Sequence, residues 1–136
     1  MTGESNLQLL LREMDPCLFA APYGYVCLQP ETGLPSGIMP FATITEAEGL
    51  TLVASADDLT RAGLAPGPLW ARINLTIHSD LSAAGLTAAF ADALARQGVS
   101  ANVIAGFYHD HLFVPWDRRH DALSALRALT KGEADA

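Results

Sequence analysis

From Leu69 to His78 the chain alternates without a slip. Leu69, Ala71, Ile73, Leu75 and Ile77 fall on one side, and Trp70, Arg72, Asn74, Thr76 and His78 on the other. A period of two describes a β-strand, and a strand with one wholly apolar face must be covered by another element. The cover follows directly in the chain. After a loop at Ser79-Asp80, Leu86, Phe90 and Leu94 share a helical stripe with Ala89 and Ala93 beside it, and Gly98 closes the helix.

Two more apolar runs come next. Ser100–Tyr108 and Leu112–Trp116 read as a hairpin turning through His109-Asp110-His111, and Asp117 is placed to cap a last helix whose Ala122, Leu123, Leu126 and Leu129 face inward. The order β-α-β-β-α is ferredoxin-like without its final strand. That strand belongs beside Trp70–His78, and a bare sheet edge invites association, so another segment must fill the slot. The donors available are Cys17–Ala20 and Tyr23–Gln29.

The first half holds a smaller set of elements. Leu7, Leu10, Leu11 and Met14 fall on one face of a short helix, which Asp15-Pro16 ends because the residue before proline is driven out of the α region. Cys17–Ala20 and Tyr23–Gln29 are strands around a bend, and residues 30–40, with three prolines and two glycines, form a loop. Phe41–Ser55 is a hairpin in which Gly49 supplies the turn. Ser55 and Asp58 are spaced as a capping box for a helix from Ala56 to Ala62, and Gly63 ends it. Ala65-Pro66-Gly67-Pro68 is the strongest break in the chain, which divides it into units at 1–65 and 66–136.

Charge and cysteine content narrow the function. The net charge of −7 sets the average surface field against phosphate backbones and anionic headgroups, so neither nucleic acid nor a membrane surface is an expected partner. Arg118, Arg119, His120 and Arg127 are interleaved with Asp117 and Asp121, which neutralise the only basic concentration. Residues 1–6 lack a basic, apolar leader, which sets the expected location as cytoplasmic. In that reducing compartment Cys17 and Cys27 are expected as two buried thiols, not a disulfide, and no cofactor is expected.

Three stretches carry a resemblance to a known family. LTIHSDLSAAGLTAA at 75–89 and SANVIAGFYHDHLFVP at 100–115 resemble ACT domains, and FATITEAEGLTLV at 41–53 resembles the first-half hairpin of short bacterial proteins with two tandem ACT-like units. The resemblance implies an α+β fold of two ferredoxin-like (βαββαβ) units sharing or exchanging a strand. It also implies a non-catalytic regulatory protein that binds a small molecule such as an amino acid and pairs as a homodimer. Carried onto this chain, the ligand segments are Ser79, Asp80, Leu81, Ala84, Gly85 and Leu86 with Asn102, Val103 and Ile104. Free amide groups opening the helix after Asp80 suit a carboxylate, Gly85 permits close approach, and Asn102 both donates and accepts. The structural roles stand beside these: Asp80 as a cap, Gly85 as relief of helix–sheet crowding, Asn102 at a strand bulge. A ligand-free interaction module is the alternative function.

Chemistry offers one competing signal. His109-Asp110-His111 has the ligand types of a divalent metal site, with His78 or His120 as third ligand if the fold brings one near, but the spacing alone also describes an ordinary turn. No nucleophile–base pairing, phosphate loop or dinucleotide fingerprint occurs, and Glu46 and Glu48 read as a solvated hairpin tip.

Overall fold

The computed structural model describes residues 6–76 and 83–132. The chain divides into a central unit, Ala20–Ala71, and a terminal unit made of Met1–Phe19 with Arg72–Ala136.

In the terminal unit, α1 (Asn6–Arg12) turns the stripe carrying Leu10 and Met14 inward, and both are buried. Asp15 follows with φ of 46°, the left-handed conformation that lets the chain turn sharply before Pro16. Then β1 (Cys17–Leu18) lies antiparallel to β5 (Trp70–Thr76), with Cys17 opposite Asn74 and Leu18 opposite Ile73. This fills the missing-strand slot with the first of the two expected donors. On the other side of β5 lies β7 (His109–Pro115), and β7 pairs antiparallel with β6 (Asn102–Ala105). The resulting order, β1-β5-β7-β6, is the ferredoxin order with the last strand supplied from the head of the chain.

One face of that sheet is the core. Ala71, Ile73, Leu75, Leu112 and Val114 are inaccessible, as are Phe90 on α3 (Ala83–Arg96) and Leu126 on α4 (Arg119–Thr130). Burying such side chains is worth roughly 1.5–3 kcal/mol each. The alternation read from Leu69 onward therefore places the apolar face correctly, although Leu69 itself precedes the strand and is exposed.

The central unit repeats the strand order with fewer helices. Here β2 (Tyr23–Leu28) pairs with β4 (Gly49–Ser55) along its length and touches the first residue of β5 through Tyr23 and Trp70, while β3 (Ala42–Glu46) pairs with β4 on the far side. The loop of residues 29–41 stands where a first helix would be. Ser55 caps α2 (Ala56–Arg61), its hydroxyl accepting from the Asp58 amide at 3.2 Å. Gly24 is required by close packing, since a Cβ there would lie 2.6 Å from the Pro66 carbonyl oxygen and 2.9 Å from Leu59 Cδ1.

Four local expectations are corrected. The second hairpin turns at Gly106-Phe107-Tyr108, with the Gly106 amide donating to the His109 carbonyl at 2.8 Å, so His109-Asp110-His111 lies inside β7. Gly49 is not the first hairpin's turn but the first residue of β4, opposite Glu46, and a Cβ on it would strike the Leu28 carbonyl. Asp117 sits within a single 3-10 turn, Trp116–Arg118, and caps nothing; Arg118 stands at the helix start and donates to Asp121 at 2.9 Å. Cys17 and Cys27 are free but exposed, because Cys17 opens a two-residue strand and Cys27 points outward from β2.

Candidate functional site

Of the nine residues read as ligand contacts, Ser79, Asp80 and Leu81 lie outside the described residues, as does His78. Ala84, Gly85 and Leu86 are in the first turn of α3. Gly85 faces α1: a Cβ there would meet the Leu7 methyls at 3.5 and 3.6 Å, ordinary contact distances. Leu86 is in the core. Asn102, Val103 and Ile104 are consecutive in β6 and therefore alternate between faces. Asn102 sits opposite Phe113 and Ile104 opposite His111, whereas Val103 is opposite Leu112 on the other face.

A different set of polar side chains is brought together on the face of the terminal unit's sheet opposite the core. On one side Cys17 stands opposite Asn74 and Phe19 beside Arg72; on the other Ile104 stands opposite His111 and Asn102 opposite Phe113. The Phe19 amide donates to the Arg72 carbonyl at 2.9 Å, and the Arg72 guanidinium lies over the Phe19 ring with its carbon 4.0 Å from the centroid, a cation–π stack. His111 Nδ1 is 2.6 Å from Asn74 Oδ1. The amide oxygen can only accept, so Nδ1 carries the proton and donates. Arg72 Nη2 lies 3.5 Å from the same Nδ1.

The electrostatics follow from that arrangement. Burial, with the charges of Arg72 and His109 added, holds the His111 imidazole below its usual 6.5, so it is neutral near pH 7. The His109 ring stands beside it, centroids 6.3 Å apart, since residues two apart on a strand share a face. Between them Asp110 points to the covered face, is only 6% exposed, and has its carboxyl pushed up by desolvation. The three residues read as one metal-ligand cluster thus separate onto two faces. Among the described residues no group of three His, Cys, Asp or Glu side chains can hold a metal ion, and His120 is exposed on α4.

The sequence signal for Arg72 and Asn74 was their place on the polar side of an otherwise apolar strand. That pattern by itself is indistinguishable from a solvated face. Elsewhere, the central unit has a shallow cleft of about 200 Å³ lined by Ser36, Gly37, Ile38, Asp58, Arg61 and Ala62, with Arg61 paired to Asp58.

Two units with one strand order, one fully helix-covered and one with a loop in place of its first helix, define a tandem ferredoxin-like protein. The ACT domain profiles match residues 2–68 and 70–128, and the chain belongs to the ACT domain family. The chain is 45% identical to the Vibrio cholerae protein VC0802, described as of unknown function and a possible transport protein. That likeness covers 91% of this chain and 95% of the other at a TM-score of 0.81. It shares its fold with the ligand-free regulatory subunit of aspartate kinase from Thermus thermophilus (12% identity, 86% of this chain and 97% of that one, TM-score 0.65). The same holds for Agrobacterium tumefaciens Atu0741 (16% identity, 85% and 87%, TM-score 0.65). No curated protein matches the sequence. ACT domains are typically regulatory units that bind small molecules. Among the described residues no helix is long and apolar enough to cross a membrane.

Proposed function

We propose that this chain is a non-catalytic regulatory protein that binds a small molecule, most simply an amino acid, and acts as a homodimer in the cytoplasm. The observation that carries the reading is the pair of ACT profiles spanning nearly all of the chain. The aspartate kinase regulatory subunits, which share the fold, support a regulatory role. The same profiles support a division of the chain into 1–65 and 66–136.

The ligand region in this proposal is Ser79–Leu86 with Asn102, Val103 and Ile104. The amides that open α3 have no intrahelical acceptors and the helix dipole favours an anion there, which suits a carboxylate. Gly85 serves through its backbone, because its Cβ direction is taken by Leu7. No cofactor takes part.

A thermal-shift screen of the common amino acids tests it. A ligand at 100 times its Kd adds roughly 2.7 kcal/mol to stability. A shift with one amino acid and none with the rest supports the reading, and no shift with any of them rejects it. The second reading, an interaction module without ligand, draws on Phe107 and Tyr108, which are 88% and 74% exposed at the tip of the β6–β7 hairpin. A flat screen together with dimers that dissociate on Phe107→Ser would favour the module.

A further inference from the structure

We propose that Asp110 receives the ammonium group of the ligand at the start of α3, so that the site takes a free α-amino acid as a zwitterion. This rests on the amino-acid reading above and adds to it the residue that meets the ligand's positive charge.

The path of the chain places Asp110 at the matching end of the sheet. A single helix, α3, joins β5 to β6 and crosses back over the sheet, so β6 runs parallel to β5. β7 is antiparallel to β6 and therefore runs against β5. It begins at the end where β5 finishes and α3 starts. Following β7, α4 packs against that strand and against α3 and returns to the same end. Asp110, the second residue of β7, shares the helix-covered face with Leu112 and Val114. Val103 and Ala105 lie on that face of β6, with Ala105 opposite Asp110. Both are exposed, which leaves an approach to the carboxyl along the β6 edge.

Asp110 is only 6% exposed, and among the described residues it has no hydrogen-bond or ion-pair partner. Desolvation acts on it unopposed, so its charged form is costly until a cation arrives. One carboxyl is short of the ligands a divalent ion requires, and no group of three His, Cys, Asp or Glu side chains among the described residues supplies them. An ammonium, with three donors, is met by one carboxylate and neighbouring carbonyl oxygens. The helices divide the two signs in the same way. The start of α3 favours an anion and the last turn of α4 a cation, and the antiparallel packing of the two sets these ends side by side. Lys131, at the end of α4, is exposed and does not pair with Asp110. A zwitterion satisfies both ends, whereas a simple carboxylic acid leaves Asp110 and the α4 terminus unanswered.

The test is calorimetric titration of the full chain and of Asp110→Asn at pH 7 with the common amino acids, each paired with the carboxylic acid that lacks its amino group, as alanine with propionate. Wild type should bind one amino acid about tenfold or more tighter than its deaminated partner. Asp110→Asn should erase that preference by weakening the amino acid and not the acid, while the free variant melts no lower than wild type. A structural role for the carboxyl does not give that combination. If Asp110→Asn fails to fold, Asp110→Ser is read in its place. Equal binding of an amino acid and its deaminated partner to wild type overturns the proposal, as does a preference that survives in Asp110→Asn, and in both cases the amino-acid reading stands. A variant that melts lower and loses acid and amino acid alike marks a structural carboxyl and also overturns it. A wild type that binds none of the amino acids removes that reading and this proposal together.

Discussion

The His111 ring is tied to Asn74, 2.6 Å from Nδ1 to Oδ1, across neighbouring strands separated by 36 intervening residues of chain. The bond fixes the tautomer of an imidazole that also lies beside a guanidinium, and the pair has consequences for stability.

The first concerns pH. His111 has a folded pKa below 6.5, so between that value and the folded pKa the unfolded chain binds more protons than the native one. Stability is therefore full above 6.5 and falls as pH drops through the folded pKa. Urea midpoints measured across the acid range should decline over that window, and the decline should be shallower in His111→Gln. Identical slopes would remove His111 as the cause.

Asp110 has the opposite sign. Its folded pKa is raised above 3.8 by desolvation, so the native state favours the protonated form. The stabilisation is complete below 3.8 and is lost as pH rises through the folded value, leaving a cost at neutrality. Asp110→Asn is expected to raise the denaturant midpoint at pH 7 and to lose that advantage in acid. A lower midpoint at pH 7 would show that the carboxylate makes a favourable interaction there.

Three glycines should respond differently to alanine. Gly24→Ala drives a methyl into the Pro66 carbonyl and Leu59, and Gly106→Ala places one 2.9 Å from His111 Nε2 and 3.0 Å from the His109 carbonyl oxygen. Each should cost about 1–3 kcal/mol as overpacking. Gly85→Ala meets only Leu7 at ordinary distance and gains helix propensity, so stability should be unchanged or higher by up to about 1 kcal/mol. Chemical denaturation of the three variants side by side checks the order.

Ser55→Ala removes the acceptor for the Asp58 amide and should cost about 1 kcal/mol. Because the loss is confined to α2, amide exchange should accelerate at Asp58 before it does in β5. Uniform acceleration would mean that the helix is not a local unit.

Much of this fold was legible because it depends on period and on edges. The alternation from Trp70 marks β5, and the unfilled strand slot beside it leads to Cys17–Leu18. The hairpin containing His109 was misplaced by two to three residues because Phe107 and Tyr108 have high strand propensity, yet they lie exposed at the turn, where Gly106 tolerates the close approach of His111. Asp117 has the composition of a cap without its position. The polar cluster on this sheet face was not legible at all. Arg72 and Phe19, or Asn74 and His111, meet only through strand pairing, and pairing of residues so far apart in the chain leaves no mark in local spacing.

The strand that completes the terminal unit comes from the head of the chain, with Cys17 opposite Asn74. During synthesis, Cys17 and Leu18 leave the ribosome long before β5, β6 and β7 exist. They must wait as an unsatisfied strand, with Phe19 uncovered, until the sheet they close has been made. Long-range pairings of this kind slow folding, since loop closure must precede any reward. A chaperone that shields the nascent head should raise the yield of native protein more than one that acts on the released chain.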